Sequence, residues 1–248
     1  MLTRYTLTLT PSKPCRSQPE WGYRLYAALL AEAPADYAVA LHRDGTTPLS
    51  QYLTRDGERL NWHVTLLSED SEAVFSPILE GKREFRLRKD GVALRVAERS
   101  CAVVADVEDL FARCARGTGL HRLEVRTPCA FKRHGQYQIL PDARLLLQSL
   151  VKQWNGCFLN CPVEDEDGQG IEAMAEGLWC RSYRLHDQSF YLKGNHIPGF
   201  VGQITLDNQL TGFHRTLADA LLYFSGYAGL GIKTTLGMGG VRHQFCAE

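Results

Sequence analysis

The chain carries no net charge: 28 Lys and Arg balance 28 Asp and Glu over 248 residues. It does not coat nucleic acid by charge alone, so any anionic partner must be met locally. It has no uninterrupted apolar run near the roughly 18 residues of a membrane span, and no apolar leader core behind its Thr-rich start, so a cytoplasmic protein without membrane association is expected. Among eight cysteines there is no C-x-x-C pair, Cys157 and Cys161 standing closest. Neither a zinc ribbon nor a thioredoxin-type site is indicated, and reduced, mostly buried thiols are the expectation.

Two phosphate-loop patterns are also missing. A P-loop needs Gly, four residues, then Gly-Lys-Ser/Thr, but Gly237 is followed by Met238. A dinucleotide fingerprint needs Gly-x-Gly-x-x-Gly between strand and helix, whereas Gly229-x-Gly231 runs on to Thr234 behind a helical segment. Present instead is Ala228-Gly-Leu-Gly-Ile-Lys-Thr-Thr-Leu-Gly-Met-Gly-Gly240, five glycines around one lysine. Glycines let successive N–H groups line a concavity for an anion, and Lys233 adds a point charge. A turn packed against another domain would use glycine equally well.

The apolar content of 44% is ample for packed cores. Tyr5, Leu7 and Leu9 alternate with threonines as a half-buried strand ending at Pro11. Helices are expected over 21–33 and 36–42, split by Pro34, and strands over 61–67 and 84–96, the latter turning at Lys89-Asp-Gly91. Val107, Leu110, Phe111 and Cys114 predict a helix behind an Asp106 cap, and 123–127 a strand that closes this half. A similar order follows: an extended 137–140, a helix from Asp142 with Leu146, Leu147, Leu150, Val151 and Trp154 on one face, strands over 178–185, 190–193 and 200–206, a helix ending at Gly226, and a last strand over 241–246. The expected fold is α+β: two tandem ferredoxin-like (βαββαβ) domains, 1–127 and 128–248, with a C-terminal glycine-rich loop and an unstructured stretch at 155–176.

Three stretches carry a family likeness. They are the spaced glycines from Gly229 to Gly239, the segment Thr127-Pro-Cys-Ala-Phe-Lys-Arg-His-Gly-Gln-Tyr137 with the Leu-rich helix ending at Trp154-Asn155, and Ala40-Leu-His42 near Thr47-Pro-Leu. In these the chain resembles the CRISPR-associated endoribonucleases that cut precursor RNA within its repeats, part of the repeat-associated Cas superfamily. The likeness spans nearly the whole chain. It implies a CRISPR repeat RNA substrate, possible effector-complex subunits as further partners, a monomer or homodimer, and neither cofactor nor metal. It also implies attack by a ribose 2′-OH on its own phosphate, giving a 2′,3′-cyclic phosphate and a 5′-OH.

Such a reaction needs a base, an acid and something to oppose the added negative charge. His42, placed where many members carry the catalytic histidine, keeps both protonation forms available near neutrality; a histidine stabilised at a helix end is the alternative. Other members often add an upstream tyrosine and a downstream lysine. Tyr26 or Tyr23 fits the first role, with Tyr26 preferred, but residues 43–54 hold no lysine. Arg43 could stabilise the transition state without donating a proton.

Gly229, Gly231, Lys233, Gly237 and Gly239 are candidate RNA-backbone contacts, and Lys132, Arg133 and His134 could contact a stem or flank. His63, His121 and His214 are expected to be structural. Two other functions stay open: a scaffold that binds the RNA without cutting it, and a ferredoxin-like small-molecule enzyme or regulatory module.

Overall fold

The computed structural model describes residues 1–13, 20–37, 49–57 and 59–246; His42 and Arg43 lie outside the described residues. The first sheet is built from β1 (Leu2–Pro11), β2 (Leu49–Asp56), β3 (Arg59–Leu66), β4 (Glu84–Leu87) and β5 (Val92–Val104), in the order β2-β3-β1-β5-β4 with every neighbouring pair antiparallel. The alternation in β1 sends Tyr5, Leu7 and Leu9 inward beside Trp62 and Val64 of β3. Helices α1 (Trp21–Leu30) and α2 (Glu69–Gly81) cover that face with Trp21, Leu25, Leu29, Phe75 and Leu79. Trp62 meets Phe85 edge-on at 5.0 Å, a geometry that suits the aromatic quadrupoles.

The second sheet has the order β13-β6-β12-β9, again antiparallel throughout: β6 (Leu120–Cys129), β9 (Leu178–Asp187), β12 (Phe200–Asn208) and β13 (Val241–Phe245). Helices α3 (Val107–Cys114), α4 (Ala143–Cys157), α5 (Gln169–Glu176) and α6 (Gly212–Ala228) pack on one face around Trp154, Leu150, Leu221 and Phe224. Two hairpins, β7 (Phe131–Arg133) with β8 (Gln136–Gln138) and β10 (Phe190–Leu192) with β11 (Asn195–Ile197), stand apart from it. Each sheet sets its last long strand beside its first and its first beside its third, β5-β1-β3-β2 and β13-β6-β12-β9. These are the two expected ferredoxin-like units, with β4 added at one edge.

The parts of the first unit differ from the expectation. The strand expected to close it, 123–127, belongs to β6 and pairs with β12 and β13, so a division at 127/128 falls inside a strand of the second sheet. Likewise α3 buries Leu110 and Cys114 in the second core. The second helix of the first unit is α2. Its sequence hides it because Pro77 sits inside and removes the donor to the Ala73 carbonyl. A reciprocal cap fixes its start instead, Ser71 N–H donating to Ser68 Oγ and Ser68 N–H to Ser71 Oγ. The stretch 155–176 contains α5, whose first turn donates Gly170 and Ile171 N–H to the Asp165 carboxylate at 2.8 and 2.9 Å.

Candidate functional site

The glycine-rich stretch follows α6 directly and lies where the two units meet. From the first unit, the buried Gln51 donates through Nε2 to the carbonyls of Gly22, at the start of α1, and Thr235, in the loop, both at 3.1 Å, while its Oε1 accepts from Trp62 Nε1 at 2.8 Å. Thr235 Oγ1 donates to the Leu49 carbonyl at 3.0 Å, Ser50 Oγ to the Tyr227 carbonyl, and the Arg4 guanidinium to the Gly226 carbonyl while lying 4.2 Å over the Tyr227 ring. At Gly240 the approach is closer still: a Cβ there would fall 2.2 Å from Tyr52 Cγ. The loop therefore joins α1, β2 and the second unit.

Most of its backbone donors are used for this architecture. Gly229 N–H donates to Ser225 O, Leu230 to Gly239 O, Gly231 to Ser149 Oγ, Ile232 to Ala130 O, Gly237 to Thr234 O and Gly239 to Pro128 O. Gly239 adopts φ 62°, and a side chain there would drive Cβ to 1.8 Å from the Leu230 carbonyl oxygen. The N–H groups of Lys233, Thr234 and Thr235 find no acceptor among the described residues. Lys233 is in the left-handed region at φ 58° with its side chain exposed. Of the segment singled out from its glycines, only Lys233 is exposed; Thr234 is buried and Thr235 half-buried, its carbonyl and hydroxyl bound to the first unit.

Around it the structure gathers a small cluster that the sequence did not reveal. Phe190, Leu192 and Ile197 of the β10–β11 hairpin pack with Met238, Ile232 and Leu236 of the loop and with Tyr23 of α1. Lys193 Nζ, at that hairpin's tip, lies 5.5 Å from the Tyr23 ring centre. Tyr26 instead packs against the first unit's core, and burial, then the neighbouring Tyr23, raises its pKa above the usual phenol value.

Lys193-Gly194 and His134-Gly135 both have two successive positive φ values, 49° and 86° for the first pair and 49° and 80° for the second. These values match the two-residue turn usually filled by Asn-Gly. In each case a cationic or titratable side chain holds the left-handed corner. Lys132, Arg133 and His134 are exposed at the β7–β8 tip, beside a groove of about 630 Å³ whose far wall is α4 and α5. Arg144 there is paired with Glu172 at 3.0 Å, whereas Lys132 and Arg133 have no acidic partner among the described residues.

The face of each sheet away from its helices is polar. In the first, Arg4, Thr6, Thr8, Asn61, His63 and Thr65 share that face, and Tyr52 stacks on His63 at 4.5 Å. His63 bonds Thr6 Oγ1 through Nδ1 at 3.1 Å and Thr54 Oγ1 through Nε2 at 3.3 Å. Burial, then Arg4 and Arg126, pushes its pKa down to about 4, so it is neutral at pH 7.

In the second sheet Arg122, Glu124 and Arg126 of β6 alternate with the inward His121, Leu123 and Val125. Cross-strand register sets Arg242 of β13 beside Glu124, which faces Gln203 of β12, and Gln203 beside Arg184 of β9. Glu124 is paired with Arg126 at 2.5 Å; Arg122, Arg184 and Arg242 have no acidic partner among the described residues. On the helix side, His121 bonds Asp219 at 2.8 Å and His243 at 2.9 Å, a buried network away from this face.

Comparison with known proteins places this arrangement. The family described as CRISPR-associated endoribonuclease Cas6 matches residues 123–241. A CRISPR-associated endoribonuclease Cas6 of Mycobacterium tuberculosis is 34% identical over 251 residues, covering 98% of this chain and 78% of the relative. Its counterpart from Streptococcus thermophilus is 28% identical over 227 residues, covering 88% and 89%. A Cas6 product complex superposes with a TM-score of 0.78 at 25% identity, covering 98% of this chain and 99% of that one. No helix among the described residues is long and apolar enough to cross a membrane.

Proposed function

The chain belongs to the Cas6 family of CRISPR-associated endoribonucleases, and from that premise we propose that it cuts precursor CRISPR RNA within its repeats. The cleavage is metal-independent, a ribose 2′-OH attacking its own phosphate to leave a 2′,3′-cyclic phosphate and a 5′-OH. The observation that carries RNA as the ligand is the cluster at the domain junction. There Lys233 and Lys193 both project from left-handed corners on one small hydrophobic knot. Holding two lysines in a conformation that side chains disfavour is intelligible where a ligand is held, and their point charges suit phosphate.

His42 serves as general base or acid, a role worth about 10²–10⁴ in rate. Arg43 stabilises the charge of the transition state. The tyrosine role falls to Tyr26, whose raised pKa keeps its hydroxyl a hydrogen-bond donor at neutral pH, or to Tyr23, which faces the lysine cluster. Lys132, Arg133 and His134 contact the stem or flank, and the product passes as guide RNA to effector-complex subunits.

The test incubates wild type and His42→Ala with labelled repeat RNA in EDTA, scanning a single 2′-deoxy substitution across the cut region. Expected is wild-type cleavage abolished at one deoxy position, with His42→Ala binding normally and cutting at least about 10²-fold more slowly. Unchanged cleavage by the variant would remove His42 from the mechanism. Tight binding without any wild-type cleavage would make the protein a guide-holding scaffold.

A further inference from the structure

We propose that Trp179, at the start of β9, is a stacking platform for an unpaired RNA base on the open face of the second sheet. This rests on the RNA-binding reading above and adds a site and a preference for single strands. The chain has four tryptophans. Trp21, Trp62 and Trp154 are at most 1% exposed, whereas Trp179 is 65% exposed.

Its direction follows from the register. Trp179 stands opposite Asp207 of β12, and the residues flanking Asp207 point into the helix layer: Leu206 lies in the core and Asn208 bonds Asp219 of α6. Asp207 and Trp179 therefore point the other way, onto the face that carries Arg122, Arg184 and Arg242. Arg181 confirms the direction by pairing with Asp207 at 3.7 Å. The indole is also oriented, its Nε1 donating to the Glu176 carbonyl at 3.1 Å and leaving the ring faces open.

The surroundings select the occupant. Counting outward-facing side chains, Arg122, Arg126, Arg181, Arg184 and Arg242 oppose Glu124 and Asp207, a net positive surface with Gln203, Thr205 and Ser182 between. A lone aromatic ring in a cationic polar field is poorly suited to an apolar protein surface. It suits a single strand, whose phosphates meet arginines while a base meets the ring. On the β6 and β13 side Arg126 and Arg242 stand beside Tyr52 and His63 of the first sheet, so the open width is less than the roughly 14 Å of three strand spacings, room for a short run of unpaired nucleotides and not for a duplex. The platform comes from the edge strand, because the central strands β6 and β12 present no aromatic side chain outward, Phe200 lying in the core.

Because the other tryptophans are buried, emission from the exposed indole reports on this site directly. The probes are a fluorescein-labelled 12-nucleotide oligouridylate and a blunt 12-base-pair RNA duplex, at about 50 mM salt, with binding followed in parallel by polarisation. Expected is quenching of the exposed, acrylamide-accessible emission by the single strand and not by the duplex, with loss of that signal in Trp179→Phe. Affinity for the single strand should fall about 5- to 100-fold in Trp179→Ala and much less in Trp179→Phe. Arg184→Ala should lower the log–log salt slope by about 0.7.

Binding by polarisation with unchanged emission, and unchanged affinity in Trp179→Ala, would overturn the stacking site while leaving RNA binding intact. Binding of neither RNA would overturn the stacking site, while the repeat-RNA assay above decides the cleavage reading separately. Blue-shifted emission shielded from acrylamide before RNA is added would show that a second copy covers the ring, and would overturn the proposal too.

Discussion

Gln51 is the single side chain on which the first core, the start of α1 and the glycine loop all depend, and Gln51→Leu tests that directly. The wild-type amide donates to Gly22 O and Thr235 O and accepts from Trp62 Nε1, with Gln51 itself 1% exposed. Leucine keeps similar bulk but leaves Trp62 Nε1 and the Thr235 carbonyl without this partner, whereas the Gly22 carbonyl, in the first turn of α1, still faces its intrahelical donor. Each such group costs about 1–3 kcal/mol when it stays buried. Local relaxation lets water reach the loop carbonyl, so the sum is about 3–4 kcal/mol rather than the maximum.

For a chain of this size about 1 kcal/mol shifts Tm by roughly 2–4 °C, so a drop of about 6–16 °C is expected by calorimetry. Gln51→Glu sharpens the test, since a carboxylate still accepts from Trp62 but presents oxygen to two carbonyl oxygens; it should be at least as destabilising as leucine. A Tm within about 2 °C of wild type for both variants would refute the claim that this amide ties the loop to the first unit.

Two further outcomes follow from the same geometry. His63 and His243 are held near pKa 4 and 3, mainly by burial. The unfolded chain, with ordinary values near 6.5, then binds more protons below that pH, so stability is complete above about 6.5 and falls as pH drops towards 4. The slope should approach about 1.4 kcal/mol per pH unit for each histidine, read from urea midpoints at pH 7.5 and 5.0, and flat midpoints would contradict it. Lys193→Ala and Lys233→Ala should each weaken repeat-RNA binding uniformly across sequences and reduce the salt slope by about 0.7–0.9, whereas a change confined to one sequence would identify a base-reading contact.

The two-unit architecture was legible because its strands and its largest helices carry clean periodicities. Tyr5, Leu7 and Leu9 alternate with threonine, and Leu146, Leu150 and Trp154 repeat on one helical face. What failed was assignment of elements to units. β6 and α3 are as regular in sequence as expected, but which sheet a strand joins is decided by long-range pairing, and β6 found β12 and β13. Pro77 masked α2, and the acidic run at 164–167 masked the Asp165 cap of α5. The glycine loop was visible and its double use was not, because the acceptors of its N–H groups come from residues as distant as Pro128 and Ser149. Lys193 carried a weak signal, a Lys-Gly pair closing the short apolar run Phe190–Leu192, which reads as a hairpin tip but not as a neighbour of Tyr23.

This double use bears on how the spaced glycines should be interpreted. The N–H groups of Gly239 and Ile232 donate to the Pro128 and Ala130 carbonyls and so zip the loop to the residues that lead into the β7–β8 hairpin. The same loop is held by Gln51, Leu49 and Ser50 on the opposite side. A rigid bracket of this kind fixes three cationic points relative to one another: Lys233 on the loop, Lys193 on the hairpin packed against it, and Lys132 with Arg133 on the hairpin it anchors. Substituting a glycine would therefore weaken RNA binding by displacing lysines, not by removing an amide from the phosphate. The distinction is measurable, because such a variant loses Tm and affinity together, whereas Lys233→Ala loses affinity with Tm unchanged.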